Sequence, residues 1–267
     1  MQTTSGIIRY KENEVHVLKM GSGSKLLITL HGFGNTASIF EPIANAFEND
    51  YTTVSIDLPG HGLTKWNQPL FEKDDLMAII QGIKMEFDVE KFTLMGFSLG
   101  GRISLNIADL QPNWIEKLIL LAPDGLQKSF WYNAATRNPL GKIIFKKVLA
   151  NPEKWLKHVE KLRDWNWIDA SRFKFAKANL TDEKVRHQLS YVWPVTSRLI
   201  VSPTLVKWHL NKYKVETHLF MGSHDRIFPP EQGQKFIKGL KTATLHVLDQ
   251  GHNLINENLV RELKKIL

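Results

Sequence analysis

The chain has 267 residues, 43% of them apolar and 23% charged, a balance that suits a globular protein with a substantial core. Cysteine is absent, which excludes disulfides, thiolate metal sites and a cysteine nucleophile. The formal charge of +8 would suit a nucleic-acid binder, but the excess is local: residues 126–205 hold 15 Lys+Arg against 6 Asp+Glu, and the remainder holds 20 against 21.

Two strands open the chain, near Ile7–Tyr10 and Val15–Lys19. The first ten residues show no basic segment followed by an apolar stretch, so a cytoplasmic location is expected. Apolar runs are too short for the roughly 18 residues of a membrane span, so no stable membrane insertion is expected. From Lys25 onward strands alternate with helical patterns: strands at Lys25–Leu30, Tyr51–Ile56, Lys91–Met95 and Ile115–Ala122, helices at Ala37–Glu48, Lys73–Glu86 and Ser98–Leu110. This alternation predicts an α/β class with a mostly parallel, doubly wound sheet. Between Leu126 and Leu205 the pattern turns helical, at Pro139–Leu149, Pro152–Leu162, Ala170–Asn179 and Asp182–Val192. The same segment carries five of the eight tryptophans: Trp131, Trp155, Trp165, Trp167 and Trp193. Strands return at Val215–Met221 and Ala243–Leu248, and a helix is expected over Leu254–Leu267. The expected organisation is a core of residues 1–125 and 206–267 with a helical insertion over 126–205.

Gly96-Phe97-Ser98-Leu99-Gly100 lies between a predicted strand and a predicted helix. Glycines flanking the serine permit unusual backbone angles and a close approach of helix to strand. The serine hydroxyl then stands at the positive end of the helix, where a nucleophile for a carbonyl belongs. Serine is also a good helix N-cap, so the motif gains chemical meaning only with a base, an acid and oxyanion donors. His31-Gly32-Phe33-Gly34 follows one strand, Asp225 follows another, and His252 follows the last. In an open parallel sheet those carboxyl ends share one edge, so the three loops and Ser98 converge.

The four motifs, in the order Ser…Asp…His, resemble the α/β-hydrolase superfamily over nearly the whole chain. The loop Asp57-Leu-Pro-Gly-His-Gly62 is similar to one typical of that family, and the inserted helices resemble its cap. The resemblance implies an α/β-hydrolase fold with Ser98 as nucleophile, His252 as general base and acid, and Asp225 as the acid that orients the histidine. Asp124, after the strand Ile115–Ala122, is the alternative acid, because some family members place it there. The backbone N–H of Leu99, next to the nucleophile, supplies one oxyanion donor; by resemblance Phe33 supplies the other. Arg102, Trp131 and Trp165 are candidate substrate contacts. His31 and His61 are read as supports for loop geometry, and Asp57 as a loop-fixing carboxylate.

These residues predict a serine hydrolase, carboxylesterase-like, that cleaves a small carboxylic ester or a related acyl or C–C bond through an acyl-enzyme. Two alternatives use the same fold. Gly96-Phe-Ser-Leu-Gly-Gly-Arg102 is similar to the elbow of the menaquinone-pathway synthase that eliminates pyruvate, which would make the protein a lyase acting on an anionic substrate. A non-catalytic ligand-binding protein would keep the fold and lose a triad member. The histidines are scattered, without a metal-binding spacing, and no nucleotide-binding loop is present, so neither metal nor cofactor is expected. The expected partner is a small ester or anionic acyl substrate, not nucleic acid, and the sequence carries no feature that sets an oligomeric state.

Overall fold

The computed structural model of the chain describes residues 2–127, 130–164, 177 and 180–267. Strands β1 (Thr3–Tyr10) and β2 (Asn13–Met20) form an antiparallel hairpin, and β2 pairs antiparallel with β4 (Tyr51–Ile56). Strands β3 (Lys25–Leu30), β5 (Phe92–Phe97), β6 (Ile115–Leu121), β7 (Glu216–Gly222) and β8 (Ala243–Leu248) all run parallel with β4. Among the described residues the sheet order is β1-β2-β4-β3-β5-β6-β7-β8. Strands β4 and β5 are buried along their whole length, as strands of a sheet covered on both faces are: β5 is almost wholly apolar, whereas β4 also buries the hydroxyls of Thr52, Thr53 and Ser55.

Side chains alternate across the sheet, and the alternation sorts the helices. Leu27, Met95, Ile119 and Phe220 point to one face, where they meet Phe40 and Ile43 of the first helical segment and Leu259 and Leu263 of the last. Gly96, one residue after Met95, looks to the opposite face, towards Ser104 of helix α3 (Leu99–Leu110). Helix α2 (Lys73–Glu86) packs beside α3, as does the later helix over Pro203–Lys212, which buries Val206 and Leu210.

Several helices differ from expectation, those at Phe130–Arg137 and Pro203–Lys212 being additional to the ones expected. The pattern over 37–48 splits into a 3-10 turn at Ala37–Phe40 and helix α1 at Glu41–Ala46. Pro42 has no N–H to donate backwards, so the α-helix starts afresh around it. An unexpected helix occupies Pro230–Ile237. The terminal helix starts at Glu257 rather than Leu254, because the Asn256 side chain accepts from the N–H groups of Asn258 and Leu259 and caps it there. Among the described residues no helix is long and apolar enough to cross a membrane.

The chain divides into two compact units, Met1–Lys128 with Arg198–Leu267, and Ser129–Ser197. Residues 198–205, expected in the insertion, thus belong with the sheet, because they lead into the helix that packs on α3. The second unit contains α4 (Phe130–Arg137), α5 (Pro139–Ala150), α6 (Pro152–Asp164) and α7 (Glu183–Val195). Asp182 caps α7 by accepting from the N–H groups of Lys184 and Val185. Trp193 stacks on Phe145, with centroids 5.3 Å apart, and meets Tyr132 edge-on at 5.4 Å. Its indole is therefore packing within this unit. The helix expected at Ala170–Asn179 falls almost entirely outside the described residues, as does Trp167.

Candidate active site

Ser98 sits between β5 and α3 with φ 52° and ψ −112°, in a region that L-residues avoid. Its conformation is held from three sides. Its N–H donates to the Leu121 carbonyl at 2.9 Å, its carbonyl accepts from Asp124 N–H at 2.9 Å, and Arg102 N–H reaches the same carbonyl at 3.2 Å. Glycine is required alongside it: a Cβ on Gly100 would lie 1.9 Å from the Leu30 carbonyl oxygen, and one on Gly96 would lie 2.3 Å from the Ser104 hydroxyl. Helix α3 therefore approaches β3 and β5 closely enough to aim its N-terminus at the serine.

His252 follows β8, and its Nε2 lies 3.1 Å from the Ser98 hydroxyl. Its Nδ1 lies 2.7 Å from Oδ2 of Asp225, which follows β7. Asp225 is almost wholly buried, and its other oxygen accepts from the N–H groups of Ile227 at 2.8 Å and Phe228 at 3.0 Å. Three donors on one carboxylate leave it no freedom to rotate. The imidazole is in contact with two phenyl rings, Phe97 at 5.2 Å and Phe228 at 5.5 Å. The Phe228 contact was not legible in the sequence. Its signal is the Asp225-Arg-Ile-Phe228 turn, which folds the phenyl back over the histidine that the aspartate holds.

Leu99 is the first residue of α3, so its N–H has no carbonyl partner within the helix. Phe33 lies in the loop after β3, beside β5, where Asn35 N–H closes a turn on the Gly32 carbonyl at 3.2 Å. This loop is clasped to the loop after β4 by a reciprocal pair of histidines. His61 Nε2 accepts from Gly34 N–H at 3.1 Å, and His31 Nε2 accepts from Leu58 N–H at 3.0 Å. Each ring uses its other nitrogen to donate to a carbonyl, Nδ1 of His31 to Gly32 at 2.8 Å and Nδ1 of His61 to Pro59 at 3.2 Å. Both imidazoles must be neutral for this arrangement. Burial and the neighbouring His61 push the His31 pKa down to about 3, and burial lowers that of His61.

Asp57 locks the same loops by accepting from Ala37 N–H at 2.6 Å and Leu63 N–H at 2.9 Å. Gly62 has φ 53°, and a Cβ there would fall 1.8 Å from the Asp57 carboxylate. The loop motif thus needs glycine at its end to admit the aspartate.

Asp124 is not brought to His252. Its carboxylate pairs with Arg102 at 3.3 Å, so these two candidates neutralise one another close behind Ser98. The ring of Trp131, which stands in α4, and the whole of Trp165 lie outside the described residues. Among the described residues no group of histidine and acidic side chains is arranged to hold a metal ion.

An open, mostly parallel sheet with a serine turn after β5, and an acid and a histidine in the loops after β7 and β8, defines an α/β-hydrolase fold. The chain matches the hydrolase family described as serine aminopeptidase, S33, over residues 21–258, and it belongs to that family. It is 24% identical to uncharacterized hydrolase YugF of Bacillus subtilis, over 96% of this chain and 94% of that one. It is 26% identical to a 2-hydroxy-6-oxo-6-phenylhexa-2,4-dienoate hydrolase of Comamonas testosteroni, over 89% of this chain and 84% of that one. Among solved structures, naproxen esterase from Bacillus subtilis superposes with a TM-score of 0.67 at 16% identity, over 99% of this chain and 91% of that one.

Proposed function

We propose that the protein is a serine hydrolase that cleaves a small carboxylic ester, or a related acyl or C–C bond, through an acyl-enzyme on Ser98. The supporting observation is the unbroken hydrogen-bonded line from the Ser98 hydroxyl through His252 to Asp225. In this reading His252 Nε2 takes the serine proton as Oγ attacks the carbonyl carbon. Asp225 keeps the Nδ1 proton in place and stabilises the imidazolium as it forms. The N–H groups of Leu99 and Phe33 bind the developing oxyanion. Collapse expels the leaving group with the proton from His252, and water, activated by the same nitrogen, frees the enzyme.

The pyruvate-eliminating alternative is less well supported, because the arginine it needs for an anionic substrate is engaged by Asp124. The 129–197 unit is proposed to set substrate preference, with Trp131 and Trp165 as contacts tested by the KM of their alanine variants. The deciding experiment is a p-nitrophenyl ester series from acetate to long chains on wild type and Ser98→Ala. Amino-acid p-nitroanilides and a 2-hydroxy-6-oxo-dienoate extend the panel to the chemistries named for the family and for one relative. Turnover of short or medium esters that disappears in Ser98→Ala supports the proposal; a variant as active as wild type on every substrate overturns it.

A further inference from the structure

A second serine, histidine and aspartate stand in line elsewhere in the sheet. Ser5 on β1 places its hydroxyl 2.8 Å from Nε2 of His16 on β2, and Nδ1 of His16 lies 2.7 Å from Oδ2 of Asp57. The connectivity matches that of Ser98, His252 and Asp225 atom for atom, with a shorter hydroxyl contact. Ser5 faces Leu18 across the ladder, so His16 is its diagonal neighbour on the same face. A diagonal polar pair needs no special explanation by itself. The buried carboxylate behind it does.

Asp57 is nearly inaccessible and His16 is also buried, whereas Ser5 is exposed. Burial alone would raise the Asp57 pKa, but the N–H groups of Ala37 and Leu63 and the His16 ring outweigh it and hold the carboxyl below its ordinary value. An ionised Asp57 claims the Nδ1 proton, which leaves Nε2 as an acceptor for the Ser5 hydroxyl proton. The backbone that carries the ring is fixed as well: the His16 N–H donates to the Thr64 hydroxyl at 2.9 Å and its carbonyl accepts from Asp57 N–H at 3.0 Å.

We propose that Ser5, His16 and Asp57 form a second nucleophilic relay, a surface site that captures acyl groups from activated carboxylic esters. Ser5 Oγ bonds to the acyl carbon as its proton passes to His16 Nε2. The tetrahedral adduct expels the leaving alkoxide or phenolate with its electron pair, and the imidazolium returns the proton to solvent. The product is an ester on Ser5. Ser5 lies within an edge strand rather than at a helix N-terminus, so the expected outcome is stoichiometric capture, not turnover. Asp57 also fixes the loops that carry Phe33 and His61, so one carboxylate serves both places.

The test uses the full chain carrying Ser98→Ala, which separates this site from the proposed active site. The protein is treated with p-nitrophenyl acetate, and fragment-ion mass spectrometry locates acetyl groups in the peptide Met1–Arg9. Thr3 and Thr4, hydroxyls on the same strand, are internal references. A positioned general base is worth about 10²–10⁴-fold, so Ser5 should acetylate on the order of 10²-fold faster than either threonine. In His16→Gln and His16→Ala it should fall to the threonine rate. Ser5 labelling within about threefold of Thr3 and Thr4 overturns the proposal, and that comparison needs no variant of the relay; so does a Ser5 rate unchanged in a folded His16 variant. Ser5→Ala in the otherwise native protein should leave ester turnover unchanged.

Discussion

Asp225→Asn is the most direct probe of the arrangement around His252. Asparagine preserves the shape and keeps an oxygen for the N–H groups of Ile227 and Phe228, which lie 2.8 and 3.0 Å from Oδ1. The atom facing His252 Nδ1 then becomes an amide nitrogen. Two donors cannot share a 2.7 Å contact, so the imidazole moves its proton to Nε2 and presents an N–H to Ser98. The active tautomer returns only by setting N–H against N–H in a buried spot, a loss of about 1–3 kcal/mol. The charge-assisted bond that would stabilise the imidazolium disappears as well, another ~1.5–3 kcal/mol. Together these raise the barrier by about 2.5–6 kcal/mol, which is a fall in kcat of about 10²–10⁴-fold. The assay is kcat on the best p-nitrophenyl ester, with the rate of fluorophosphonate labelling of Ser98 as a second readout and thermal unfolding to verify the fold. Asp124→Asn, which alters the Arg102 pair and leaves the His252–Asp225 contact intact, should lower kcat less than about tenfold, with any larger cost appearing in thermal unfolding because the Arg102 side chain is buried. A folded Asp225→Asn enzyme within tenfold of wild type, or an Asp124→Asn enzyme that loses more, would refute the assignment.

His61→Ala should free the Gly34 N–H and loosen the Phe33 loop, lowering kcat by about 10–100-fold with a smaller change in KM, since one oxyanion donor is worth up to about 10³-fold. His61→Gln, which restores an acceptor, should recover part of that loss; equal loss in both variants counts against the loop role. Gly62→Ala should destabilise the fold by about 1–3 kcal/mol from overpacking against Asp57 and about 1–2 kcal/mol from its left-handed backbone, measured by urea unfolding. His31 binds a proton in the unfolded chain near pH 6.5 but in the folded chain only near 3. Its contribution is therefore complete above the higher value and is lost as pH falls towards the lower. Urea midpoints at about pH 7.5 and about pH 4.5 should show that decline, and it should be shallower in His31→Gln.

Legibility in the sequence followed the strength of the local signal. Strands β3, β4 and β8 have the bounds expected for them, because a turn or breaker follows each. Ser98, Asp225 and His252 stood out because each follows a strand and the sheet collects those ends. Other features depend on partners distant in sequence. Nothing near His16 announces Asp57, which lies 41 residues away, and Gly34 gives no hint that its N–H meets His61. The Arg102–Asp124 pair was hidden for the same reason: each residue invited a role in chemistry, and only the fold shows that they satisfy each other. The eight-residue helices at 130–137 and 230–237 span too few turns for periodicity to separate them from loops.

The positive φ of Ser98 sets two kinds of selection against each other. A side chain held at such an angle costs about 1–3 kcal/mol, and glycine at position 98 would release much of it. A library screened only for thermal tolerance should therefore enrich Ser98→Gly, while under the proposed mechanism one screened for turnover keeps the strained serine. At this one backbone angle robustness and reactivity part company.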